Sequence, residues 1–107
     1  MLPIADAEEA LAVGRKVLNT YNYLNLTNYV NNFKRLGFTD ADLTPPGSDK
    51  FVDALVAYGT PDEIAKRLGE HLRAGANHVV IQLLPYTQLL PTLAELAGPL
   101  GLKARAA

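Results

Sequence analysis

The apolar positions of this chain recur mainly at helical spacing. Asp6 is a suitable N-cap, and the apolar residues after it fall three or four positions apart, which predicts an amphipathic helix over residues 6–23. Similar stripes predict helices over residues 27–36, 48–58 and 88–97. We therefore expect most of the chain to be helical.

The strongest local helix signal begins at Thr60. Thr60 can cap a helix, Pro61 suits its first position, and Glu63 can reach back to the Thr60 amide. An apolar stripe follows until Gly75, a residue type that commonly ends helices. These features predict a helix between Thr60 and Gly75.

The segment 39–47, with Pro45-Pro46-Gly47, is expected to be a turn-rich connection rather than a domain linker. Both flanks are equally apolar, so no shift in composition marks a boundary. Residues 1–107 are therefore expected to form a single, partial domain.

Residues 78–84 break the helical pattern. Their β-branched start, and their apolar residues on both alternating faces, predict a parallel strand buried on both sides. The only other candidate strand, residues 2–4, is short and contains a proline that cannot donate a hydrogen bond. One such neighbour cannot pair both edges, so the strand is expected to need partners outside this chain.

The order of short strand, helices, strand and helix is typical of the end of an α/β sheet or barrel. A complete barrel needs about 200–250 residues, and this chain has 107. The predicted fold is a mostly helical C-terminal fragment of a TIM (β/α)8 barrel, with one strand at 78–84 and a strand stub at 2–4. Two alternatives remain: 78–84 pairs across an oligomer interface, or it belongs to a buried helix.

Composition and charge exclude several functions. The net charge is −1 and the basic residues are spread along the chain, so nucleic-acid binding is not expected. The absence of cysteine excludes disulfides and thiolate metal sites. His71 and His78 have no evident third ligand, so no metal site is expected. Without a signal peptide or a long apolar run, the chain is expected to be cytoplasmic and not membrane-bound.

Three separated runs resemble one family. They are residues 23–38 (YLNLTNYVNNFKRLGF), 48–59 (SDKFVDALVAYG) and 74–80 (AGANHVV). In this order they resemble the C-terminal part of the luciferase-like, monooxygenase-like oxidoreductases, in the branch that uses coenzyme F-420, a deazaflavin. The resemblance extends over about residues 5–102.

The resemblance implies a TIM barrel that transfers a hydride between coenzyme F-420 and a small organic substrate, with FMN as the alternative coenzyme. Residues 78–84 would be the last barrel strand and residues 2–4 the end of the strand before it. The first six strands, with most of the coenzyme-binding loops, are missing from the chain. The chain alone is therefore expected to bind no coenzyme and to be inactive without the missing N-terminal barrel portion.

Five residues are candidate coenzyme contacts. Gln82 lies near the C-terminal end of the predicted strand, the end that faces the active site in β/α barrels, and Pro85 and Tyr86 begin the following loop. Asn28 and Arg35 lie in the first family-like run, in a polar patch beside an apolar helix face. Each also has a structural interpretation: a satisfied amide, a packed ring, a cap or a solvated position. No catalytic acid, base or nucleophile is assigned.

A second hypothesis does not involve catalysis. The chain could be a small non-catalytic helical module for oligomerisation, in which exposed strand edges drive homo-oligomer formation.

Overall fold

The computed structural model describes residues 1–84 and 86–102, and 61% of the structure is helical, which confirms the mainly helical prediction. Short 3-10 turns occur at Tyr23–Asn25 and Tyr86–Gln88. The α-helices are α1 (Ala7–Thr20), α2 (Thr27–Arg35), α3 (Asp40–Leu43), α4 (Asp49–Leu55), α5 (Pro61–Arg73) and α6 (Leu89–Ala97).

The chain divides into two compact units. Residues 8–56 form the α1–α4 unit. Residues 1–7 and the described residues from 57 onward form the α5–α6 unit.

Aromatic side chains form the core of the α1–α4 unit. Phe33 of α2 and Phe51 of α4 are buried, with ring centroids 5.0 Å apart in an edge-to-face arrangement. The ring of Phe38 lies nearly perpendicular to both, with centroids 6.5 Å from Phe33 and 5.5 Å from Phe51. Such pairs contribute about 0.5–1.5 kcal/mol each beyond area burial, so the three rings fix how α2 and α4 pack. The other buried apolar residues of the unit are Ala10, Leu24, Leu43, Val52 and Val56.

The connection between α2 and α4 contains the one-turn helix α3, which the sequence interpretation missed. Thr39 Oγ1 accepts from the Asp42 amide at 3.2 Å, and the Thr39 amide donates to Asp42 Oδ2 at 3.1 Å. Ser48 donates to Asp42 Oδ1 at 2.7 Å and its Oγ accepts from the Phe51 amide at 3.1 Å. Asp42 therefore links the caps of α3 and α4.

Helix α4 is shorter than predicted. It ends at Leu55 instead of residue 58 because the backbone becomes extended at Val56. Tyr58 then forms an isolated parallel bridge with Leu2, and the Leu2 amide donates to the Ala57 carbonyl at 2.8 Å. Pairing with Leu2 replaces the last helical turn.

The strand predicted over residues 78–84 is not formed, and the stub predicted at 2–4 is reduced to the bridge at Leu2. Among the described residues, backbone pairing is found at the far end, where the Met1 amino group donates to the Gln82 carbonyl and the Leu84 amide donates to the Met1 carbonyl. Within the described part of the chain, residues 77–81 make no backbone hydrogen bond. A β-ladder needs a neighbouring strand along its whole length. Met1 and Leu2 are too few residues to provide that strand.

The prediction that both faces of residues 78–84 are buried is also wrong. Leu83 is buried and Val79 and Ile81 are half-buried, whereas Val80 is 85% exposed. His78 and Gln82 are exposed as well. Side chains thus alternate between the interior and solvent, as on a strand with one covered face.

Helix α5 has the ends that the sequence predicts. The Thr60 amide donates to Glu63 Oε2 at 2.8 Å, and the Glu63 amide donates to Thr60 Oγ1 at 3.3 Å, which completes the capping box. Gly75, just beyond the helix, has φ +108°. The buried apolar side chains of the α5–α6 unit are Leu2, Ile64, Ala65, Leu83 and Leu96.

Candidate functional site

Gln82 and Tyr86 lie next to each other. The Gln82 side-chain amide donates to the Tyr86 hydroxyl at 3.0 Å, and both side chains are exposed. Tyr86 opens the 3-10 turn that leads into α6. An amide and a phenol together offer several hydrogen-bond donors and acceptors, so the pair can bind the polar edge of a ligand.

The backbone around Gln82 holds this pair in place. The Gln82 carbonyl accepts from the Met1 amino group, and the next residue, Leu83, is 2% exposed. With Leu83 inward, the Gln82 side chain lies on the solvent side. Burial lowers the pKa of the Met1 amino group from its ordinary value, because the charged form loses hydration there.

The third residue predicted for this loop, Pro85, lies outside the described residues.

Asn28 and Arg35 belong to the α1–α4 unit, whereas Gln82 and Tyr86 belong to the α5–α6 unit. Asn28 and Arg35 are both exposed on α2, about two turns apart on one side of the helix. Between them, Asn32 Oδ1 accepts a long hydrogen bond from Arg35 Nη2 at 3.4 Å. The structure thus forms a polar strip on α2, with Arg35 as its cation.

Two carboxylates of the α1–α4 unit have lowered pKa values for structural reasons. A hydrogen bond and the charge of Lys34, 2.8 Å away, lower the pKa of Asp40. The amide of Thr39 and the hydroxyl of Ser48 are the main causes that lower the pKa of Asp42. Both carboxylates are favoured in the ionised form, and Asp42 acts through helix caps.

A groove of about 360 Å³ lies beside α5 in the α5–α6 unit. Its walls combine one carboxylate, two cations and apolar side chains: Asp62, Ala65, Lys66, Gly69, Leu72, Arg73, Pro99 and Leu100. Neither Gln82 nor Tyr86 lines it, so the groove is separate from the candidate coenzyme contacts.

The described residues contain no cluster of three or more His, Asp or Glu residues that could hold a metal ion. None of their helices combines the length and apolar character needed to cross a bilayer.

The sequence interpretation missed the position of Tyr58 beside Leu2. A signal was present, because Val56 and Tyr58 favour extended backbone and Gly59 separates them from the Thr60 cap. A short strand before a capped helix is typical of a β/α unit. The sequence interpretation missed this short extended segment because the apolar residues before Val56 recur at helical spacing and predict a helix over residues 48–58.

Comparison of the chain with protein families, curated proteins and solved structures finds no match.

Proposed function

We propose that the chain is the C-terminal part of a luciferase-like oxidoreductase that transfers a hydride between coenzyme F-420 and a small organic substrate. The resemblance of residues 23–38, 48–59 and 74–80 supplies the family and the coenzyme. The structural observation that carries the proposal is the parallel contact of Met1 with residues 82–84.

Consecutive strands of a β/α barrel run parallel, and a helix follows each strand. Residues 1–4 are followed by α1, and residues 82–84 are followed by α6 after a short turn. The Met1 backbone bonds to residues 82 and 84 in the register of a parallel pair. This contact supports assigning residues 1–4 to the seventh strand and 78–84 to the eighth.

The other side of Leu2 is occupied by Tyr58. In a complete barrel that side of the seventh strand pairs with the sixth strand, which this chain lacks. The proposal therefore requires residues 57–58 to leave Leu2 when the N-terminal barrel portion binds.

The backbone of residues 77–81 is available for the first barrel strand. Within the described residues it makes no hydrogen bond, and Val80 is 85% exposed. Burying a valine side chain contributes about 1.5–3 kcal/mol, and a pairing strand would also satisfy the open edge. Both features favour association with a strand.

Gln82 and Tyr86 fit a ring-shaped coenzyme as hydrogen-bonding partners. They lie at the C-terminal end of the proposed eighth strand, where β/α barrels have their active sites. When bound, the coenzyme supplies the hydride chemistry, while these side chains would hold its polar edge. Roles for Pro85, Asn28 and Arg35 remain predictions.

The test is complementation. The full chain is mixed with the N-terminal six-strand portion of an F-420-dependent luciferase-like protein, and calorimetry measures association and coenzyme affinity. We expect no coenzyme binding by either part alone, and binding by the mixture. Val80→Lys should abolish association. The control is Leu72→Lys, which changes an exposed leucine on α5 and should leave association intact.

Association that survives Val80→Lys would refute the role of the 77–81 edge. Tight coenzyme binding by this chain alone would refute the assignment of the coenzyme loops to the missing portion.

A further inference from the structure

The groove beside α5 has the size and chemistry of a small-molecule site, and the proposed function does not use it. Its volume of about 360 Å³ is at the lower end of the range for ligand sites, about 300–1,000 Å³. One wall is a face of α5, and Pro99 and Leu100 contribute to the other. We call it the α5 groove.

The guanidinium of Arg73 is folded back along α5. Its Nη2 donates to the carbonyl oxygen of Lys66, seven residues earlier, in a long hydrogen bond of 3.4 Å. Among the described residues, Arg73 forms no ion pair with a carboxylate. A guanidinium has five N–H donors, so most of its donors remain available to a ligand.

Gly69 leaves room for this guanidinium. A Cβ at Gly69 would lie 3.2 Å from Arg73 Nη1, which is a tight contact. Glycine inside a helix is less favourable than alanine, and α5 has this glycine between its two groove cations, Lys66 and Arg73. The missing side chain lets Arg73 lie across this face of the helix.

The lining of the α5 groove has an excess of positive charge. Lys66 and Arg73 are cations and Asp62 is the carboxylate, so two positive charges and one negative charge give a net charge of +1. Within the part of the chain that the structure describes, Lys66 also has no ion-pair partner. A monoanion would balance the net charge, whereas a dianion would leave excess negative charge near Asp62.

The rest of the lining is mostly apolar. Ala65, Leu72, Pro99 and Leu100 contribute it, and Leu72 is 52% exposed. Covering apolar surface is favourable because it removes that surface from water. The groove therefore favours a ligand that carries an apolar body beside its negative charge.

We propose that the α5 groove binds a small organic monocarboxylate with an apolar body. Arg73 holds the carboxylate, because a guanidinium can donate two parallel hydrogen bonds to its two oxygens. Lys66 adds a second positive charge, and the apolar body packs against Leu72 and Leu100. Because the site is open to solvent, which weakens charge pairs, we expect a dissociation constant of about 0.1–10 mM.

The test is a titration of the full chain, labelled with ¹⁵N, with phenylacetate at neutral pH. We expect saturable shifts of the amides of residues 65–73 and 99–100. Two probes separate the parts of the ligand: 2-phenylethanol keeps the ring without the charge, and acetate keeps the charge without the ring. Each should bind at least about fivefold more weakly than phenylacetate.

Two variants test the residues that hold the carboxylate. Arg73→Gln should raise the dissociation constant for phenylacetate at least about fivefold, because it removes the charged donors. Gly69→Ala keeps every charge and favours the helix, but it crowds the Arg73 guanidinium and should weaken binding at least about twofold. Arg67→Gln is the matched control, since it removes an arginine of α5 that does not line the groove. It should leave the dissociation constant unchanged.

The proposal is overturned if phenylacetate gives no saturable shifts up to about 50 mM, well above the expected range, or if its shifts lie away from the groove. Equal binding of phenylacetate and 2-phenylethanol would also overturn it, as would unchanged binding by Arg73→Gln. Tighter binding of inorganic phosphate than of phenylacetate would refute the choice of a monocarboxylate. The proposal does not depend on the oxidoreductase assignment, because Gln82 and Tyr86 do not line the groove.

Discussion

The amide of Leu84 donates to the carbonyl oxygen of Met1 at 3.1 Å. On the other side of Leu83, the Gln82 carbonyl accepts from the Met1 amino group. These two bonds flank Leu83, whose side chain is 2% exposed. The covered face of residues 78–84 is therefore the one that carries Leu83, with Val79 and Ile81 half-buried on the same side.

The first prediction follows from the different exposure of Leu83 and Val80. Leu83→Ala should lower the free energy of unfolding by about 2–5 kcal/mol, because it leaves a cavity in the core. Val80→Ala, three residues earlier and 85% exposed, should change it by no more than about 0.5 kcal/mol. Urea unfolding followed by circular dichroism measures both. Similar losses for the two variants would show that Val80 is covered in solution.

The second prediction concerns the capping box of α5. Thr60→Ala removes the acceptor for the Glu63 amide and should lower the free energy of unfolding by about 1 kcal/mol. Thr27→Ala is the matched control, since α2 begins after Leu26 without a side-chain cap hydrogen bond. The control should cost no more than about 0.5 kcal/mol in the same urea titration. A larger loss at Thr27 than at Thr60 would contradict this.

Local signals predicted the helices well, whereas the paired backbone could not be predicted from them. Thr60, Pro61 and Gly75 determine α5 through bonds within a few residues, so its ends were predicted correctly. Residues 78–84 have the composition of a strand, but strand formation depends on distant partners. Met1 and Leu2 provide pairing at one end only, and no local pattern reveals that.

The two residue pairs of the candidate site also differ in how far the sequence predicts their arrangement. The bond between Gln82 and Tyr86 spans four residues, and their proximity could be anticipated from the predicted strand end and loop. Whether Asn28 and Arg35 serve the same ligand depends on the arrangement of two units, which short sequence patterns do not encode. The structure brings the first pair together, and a ligand contact by either pair remains a prediction.

The third prediction is a pH dependence that arises from Asp42. Its carboxylate accepts from the Thr39 amide and the Ser48 hydroxyl, and these bonds lower its pKa in the folded state. A carboxylate with a lower pKa when folded stabilises the protein above its unfolded pKa, and this contribution is lost as the pH falls through the folded pKa. Stability should therefore decline as the pH falls from the ordinary pKa of aspartate toward the lower pKa of folded Asp42.

Asp42→Asn should be less stable than the wild type at neutral pH, and the difference should shrink on acidification. Thermal unfolding across the acidic range measures both. Asp62→Asn removes an exposed carboxylate from the first turn of α5 and serves as the control. A difference that stays constant with pH would mean that Asp42 acts through packing rather than charge.

The fourth prediction compares two glycines with similar positive φ angles, Gly37 at +102° and Gly47 at +96°. A Cβ at Gly37 meets no atom within 4 Å, so Gly37→Ala should cost only the backbone strain, about 1–3 kcal/mol. A Cβ at Gly47 would lie 2.9 Å from Phe51 Cδ1, and Phe51 is fully buried. Overpacking adds about 1–3 kcal/mol, so Gly47→Ala should be clearly the more destabilising variant.

Urea unfolding of the two variants measures the steric part as the difference between them, because both positions place alanine at a similar positive φ. The turn at Gly47 is also held by Arg15, whose Nε donates to the Gly47 carbonyl at 3.0 Å, which limits how far the backbone can move away from Phe51. Gly47→Ala should therefore lose stability rather than relax. Equal losses for the two variants would show that the turn shifts despite Arg15 and that Phe51 is packed less tightly than its burial indicates.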